Sequence, residues 1–203
     1  MINLFLLFSM SLVLFAMIGY MRGWQKEVIA LSGLVGAIAV LQQFGYDIVS
    51  FLGMVPVEGA SLEEINSARE SQIYVQALFF VIIVFFSYQV VTRLAVSATG
   101  GRLGDRLRSG FERRIIGMLV GTLNGYLVVG SLWSFLEYIP VPSGYDHLLA
   151  GIEYPFDPTV IIRPAINTFA LTFTEYLPFG IFSPTVWLIL FFVTFFIVII
   201  ALV

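Results

Sequence analysis

Arg22, Lys26 and Glu27 stand close together in the stretch Tyr20–Gly33, between two long apolar runs. A carboxylate beside two cations in such surroundings suits two tasks. It can sit at the mouth of a polar pathway, or simply mark a membrane boundary and cap a helix. Few other groups could do chemistry. Asn124 is the best polar candidate inside an apolar run, and Glu137 lies near the end of the same run. Asp47, Ser50 and His147 lack the sequence context of a nucleophilic triad. There is no cysteine, so thiol chemistry and thiolate metal sites are excluded, and the one histidine excludes a multi-histidine metal site within this chain. No Gly-rich phosphate loop is present. No catalytic residue and no metal site is therefore expected, and the chain reads as a non-enzyme. A cofactor stays open, because aromatic and aliphatic walls hold a quinone or pigment without a sequence signature.

The elements that must position these groups are membrane helices. The chain has 203 residues, of which 59% are hydrophobic and only 11% charged, against about 25% charged in an ordinary soluble domain. Runs of about 20 apolar residues suffice to cross a bilayer core. Five such spans are predicted: Asn3–Met21, Val28 to about Phe44, Ile73–Leu94, Ile115–Tyr138 and Pro184–Val203. The first lacks the basic start and small-residue cleavage pattern of a signal peptide, so it is expected to stay in the protein. The fold expected is an all-α integral membrane protein. Its parts are a four-helix module over 1–138, an outer Pro- and aromatic-rich loop over 139–183, and an additional transmembrane helix over 184–203.

Basic residues set orientation. Eight of the ten, Arg22, Lys26, Arg93, Arg102, Arg106, Arg108, Arg113 and Arg114, fall on one side with only three of the acids. The other ten acids share the opposite side with Arg69 and Arg163. The basic side is expected to be cytoplasmic and the N-terminus outside. The segment Thr99–Arg114, with five arginines, could also lie on anionic headgroups. Nucleic acid is not an expected partner for so short a tethered stretch.

Local patterns add detail. Gly23 allows a chain reversal, and Glu27 falls in the first turn of the next helix, where a carboxylate suits the positive helix end. Ser61 and Glu64 have the spacing of a capping box. In the outer loop, Pro164 is expected to open a surface helix with Ile166, Phe169, Ala170, Phe173 and Leu177 on one face. Gly117, Gly121 and Gly125 repeat every four residues, a glycine-zipper stripe that lets another helix backbone approach closely. The second span offers a partner stripe in Gly33 and Ala37. A homodimer seam is the other use of such a stripe.

The residues R-G-W-Q-K-E at Arg22–Glu27 resemble the R-G-aromatic-x-x-E pattern after the first span of the colicin V production (CvpA-type) family. That family also has a Gly/Arg-rich link followed by D-R-x-x-G-x-x-x-G-x-x-x-G, matched here by Arg114, Gly117, Gly121 and Gly125. Arg113 stands in place of the family's Asp, Asn124 replaces a basic residue that often precedes the third glycine, and the fifth span exceeds the usual four. The resemblance covers roughly residues 1–140, with a vaguer match to about 178. It implies a small bacterial inner-membrane protein with a role in envelope homeostasis, secretion or export. It also singles out Arg22, Gly23, Glu27, Arg114 and Asn124 as motif residues. Arg22 and Glu27 are then expected to meet the glycine-stripe helix through Arg114. The function expected is a scaffold, assembly factor or accessory subunit, with membrane lipid and other subunits or a second copy as partners. A small oligomeric transporter or channel is the alternative.

Overall fold

The computed structural model describes residues 3–91, 110–149 and 151–202. The chain is mostly helical: α1 (Leu4–Arg22), α2 (Trp24–Phe51), α3 (Leu62–Phe86), a π-helical turn at Ser87–Val91, then α4 (Gly110–Glu137). A two-stranded hairpin, β1 (Tyr138–Val141) and β2 (Gly144–His147), follows directly, and α5 (Phe169–Thr174), α6 (Pro178–Ile181) and α7 (Pro184–Leu202) complete it. Helices α1, α2 and α4 and the helix Leu62–Gln89 are long and apolar enough to cross a membrane, whereas the last apolar helix, counted over Pro184–Ile199, is shorter.

Helix α2 is the centre of the bundle. Of its most apolar stretch 67% is buried, against 11% for α1. Its residues Leu34, Ala37, Ile38 and Leu41 form the core with Phe80 of α3 and Leu127 and Phe135 of α4. Ring contacts continue this core from Phe80 through Phe135 to Phe179 of α6 and Tyr145 of β2, with centroids 5.8, 5.1 and 4.6 Å apart along the chain of rings. Such edge-on geometry suits the quadrupoles of aromatic rings.

Helix α1 passes into α2 through Gly23 alone, whose φ of +81° is costly for a residue with a Cβ. The helix then lies against α4, backbone on backbone. A Cβ at Gly19 would come within 2.8 Å of the Gly121 Cα, and one at Gly117 within 3.0 Å of the Gly23 Cα. A Cβ at Gly125 would meet the Phe15 ring. The glycine stripe of α4 is therefore spent on α1, which corrects the expectation that α2 is its partner. Gly33 of α2 instead faces Ser87, and Ala37 is fully buried in the core.

The outer segment differs from its expectation in two ways. The backbone after Glu137 forms an antiparallel hairpin, Tyr138 opposite His147 and Val141 opposite Gly144. The surface helix does not begin at Pro164. Asn167 takes a positive φ of 63°, which breaks any helix there, and α5 starts after Thr168, whose side chain caps the Leu171 N–H. Phe169 and Phe173 pack on Phe5 of α1, at 5.6 and 5.7 Å between ring centroids. The expected capping box of Ser61 and Glu64 is present and opens α3, which therefore begins well before the predicted span at Ile73. The Arg/Gly-rich link lies outside the described residues up to Gly110, where α4 begins.

Candidate functional site

Glu27 sits in the first turn of α2 and is wholly buried. The Gly23 reversal brings Arg22, the last residue of α1, back onto it: Arg22 Nη1 donates to Glu27 Oε1 at 2.8 Å. Helix α4 supplies Asn124, equally buried, whose Nδ2 donates to Glu27 Oε2 at 2.8 Å and to the Glu27 main-chain oxygen at 3.0 Å. Two acceptors on one nitrogen settle the orientation of this amide. The fourth contributor is Tyr88 in the π-helical turn, whose hydroxyl reaches Glu27 Oε2 at 3.5 Å. Its ring lies under the Arg22 guanidinium, 4.7 Å from the centroid. One carboxylate thus holds three other segments of the bundle.

The π turn is local to this site. Such turns are rare and recur at functional positions. Here the turn seats Ser87 against Gly33, which has no side chain in the way, while Ser87 Oγ donates to the Ile83 carbonyl at 2.8 Å. Tyr88 then turns inward to the carboxylate. Polarity at this end is unevenly satisfied: among the described residues, Asn124 Oδ1 and Trp24 Nε1 are buried without a hydrogen-bond partner. Arg114 does not take part. It lies over the Tyr20 ring at 5.6 Å, while Arg113 donates to Gln25 Oε1 at 3.2 Å. The expected link from the ion pair to α4 therefore runs through Asn124 instead of Arg114. Among the described residues no group of three His, Asp or Glu side chains is placed to hold a metal ion.

A second buried carboxylate, Glu137, ends α4 at the opposite end of the bundle. Arg163 donates to its Oε2 through Nε at 3.1 Å and Nη2 at 2.8 Å, and the Tyr154 hydroxyl donates to its Oε1. Burial first, and the Glu137 charge second, push the Tyr154 phenol well above its ordinary range, so it stays a donor. Arg163 also donates to the carbonyls of Leu148, Leu149 and Ile152, and Arg69 of α3 donates to the Leu136 carbonyl at 2.6 Å. This network ties the outer segment to the helices. It was not foreseen from the sequence, although a lone Arg in an apolar loop on the same side as an acid at a helix end is the signal that points to it.

A membrane-embedded helical bundle with one buried carboxylate at each end is the class of protein that fold and site define. The model of the family described as "Colicin V production protein" matches residues 6–151, and the chain belongs to that family. The match contains Arg22, Glu27, Tyr88 and Asn124, and stops before Arg163 and α7. No curated protein and no solved structure matches the chain.

Proposed function

We propose that this multi-pass membrane protein of the colicin V production family is a non-enzymatic scaffold, assembly factor or accessory subunit of a larger complex in the bacterial cytoplasmic membrane. Its basic end faces the cytoplasm, and the last helix crosses the bilayer as a fifth span. The observation that carries this reading is the state of Glu27. Both carboxylate oxygens are engaged by side chains of the same protein, with 0% of the residue exposed. A group held from α1, the π turn and α4 acts as a lock on helix register, which is the best-attested use of a buried polar contact. The faces of α1 and α7, with Leu6, Met10, Val13, Phe192 and Phe196 exposed, are left for lipid and neighbouring subunits. Gentle solubilisation of native membranes, then sizing and mass spectrometry, tests the proposal. Migration in fixed ratio with a larger assembly supports it, and migration alone counts against it.

A second reading, an oligomeric transporter in envelope homeostasis or export, has one specific support. Among the described residues, Asn124 Oδ1 is a buried acceptor with no partner beside the carboxylate, and a passing donor would satisfy it. Polar groups at membrane depth are costly and for that reason functional candidates.

A further inference from the structure

Three charged side chains are buried at the hairpin end of the bundle, and their charges do not cancel. Glu137 is wholly buried, while Arg163 and Arg69 keep only 7% and 6% of their surfaces exposed. Arg163 lies on Glu137 at 2.8 Å and takes up its single negative charge. A guanidinium has five N–H groups. Arg163 makes five bonds, two to Glu137 Oε2 and three to the carbonyls of Leu148, Leu149 and Ile152. Arg69 is served far less well. Among the described residues it makes two bonds, both to neutral carbonyls: Leu136 at 2.6 Å and Glu153 at 3.4 Å. The second is long for a hydrogen bond. Its Nε is buried without a partner, and no ion pair among the described residues includes it. Glu137 does not serve both cations, because Tyr154 donates to its Oε1 and Arg163 to its Oε2.

A buried donor without an acceptor is rare in folded proteins, and its usual complement is an ordered water or an ion. The charge decides which. A water would satisfy the N–H but leave a whole positive charge buried and unopposed, which is costly. A guanidinium does not shed its proton to relieve this. An anion satisfies the donor and the charge together, through the stronger, charge-assisted kind of hydrogen bond. We propose that Arg69 binds a small inorganic anion of the size of chloride through Nε, beside the end of α4 and residues 151–153. A monatomic anion needs little room and accepts hydrogen bonds from any direction. Arg69 stands two turns inside α3, before the apolar run that begins at Ile73, so its end of the helix is the watery one. The neighbouring chain leaves a way in: Ile152 is 42% exposed, and a Cβ at Gly151 would touch nothing within 4 Å. The bound anion would complete the closure of the outer segment over the helices.

The test is thermal unfolding of the full chain in mild detergent while sodium chloride replaces sodium gluconate at constant ionic strength. Gluconate is too bulky to reach a buried Nε. The melting temperature is expected to rise with chloride and to level off, by about 3–6 °C at tenfold excess over the dissociation constant. Arg69→Met removes the charge and the donor at similar volume, and is expected to lose the response. Crystals of the wild-type protein grown in bromide are expected to show an anomalous peak in contact with Arg69 Nε, a readout that does not depend on the variant folding. The proposal is overturned by equal melting temperatures in the two salts, by a chloride response that Arg69→Met retains, or by bromide crystals without that peak.

Discussion

Glu27 shows how far a single residue type and position can be read. Its closeness to Arg22 is visible in the sequence, since a reversal at Gly23 leaves the two side chains little choice but to meet. Its remaining partners are not visible, because Tyr88 and Asn124 arrive from segments 61 and 97 residues away. Removing one partner of a buried charge pair costs about 3–5 kcal/mol, because the other charge is left uncompensated. Glu27→Ala is therefore expected to destabilise the protein by about that amount, read by unfolding in mild detergent. Arg22 keeps 24% of its side chain exposed and can turn outward, so Arg22→Ala is expected to cost more than its loss of contact alone, through the stranded carboxylate. The double variant is expected to cost clearly less than the two singles together, as residues sharing one contact do. Additive losses would show that the pair does not act as a unit.

At the scale of elements, the spacing of Gly117, Gly121 and Gly125 announced a close helix contact, yet did not say with which helix. Gly19 is an isolated glycine in α1, and α2 carries the more conspicuous small residues, so pattern alone favoured the wrong partner. Geometry decides it: α2 is needed at the centre, and the peripheral helix α1 takes the glycine face. Gly19→Val places side-chain atoms on the α4 backbone, where nothing can give. It is expected to separate α1 from α4 and lower the melting temperature sharply, whereas Gly36→Ala meets only the movable Phe191 ring and is expected to be mild. The hairpin and α5 were the least legible elements. Their short strands have no alternation to read, and Pro164 mimics a helix opening that Asn167 cancels. Among the described residues, Arg163→Met leaves Glu137 buried with only Tyr154 and a distant histidine as partners. It is expected to loosen residues 138–177, seen as faster proteolysis there with the helices intact. Equal protection in the variant would remove Arg163 as the anchor.

For the whole molecule, composition alone announced a bilayer protein, because so few charges cannot solvate a soluble surface of this size. The two ends of the bundle were also foreshadowed by the uneven sharing of basic residues. What sequence could not supply was the closure of each end around one buried carboxylate, because that depends on packing across the bundle. The account rests on Glu27 being a fixed internal lock. Proteoliposomes holding wild-type protein or Glu27→Gln, assayed for flux of a broad ion and solute panel alongside thermal stability, test this most directly. The account predicts no flux from either protein and a lower melting temperature for Glu27→Gln. Flux through the wild type that vanishes in Glu27→Gln, with the melting temperature unchanged, would contradict it and make Glu27 part of a pathway.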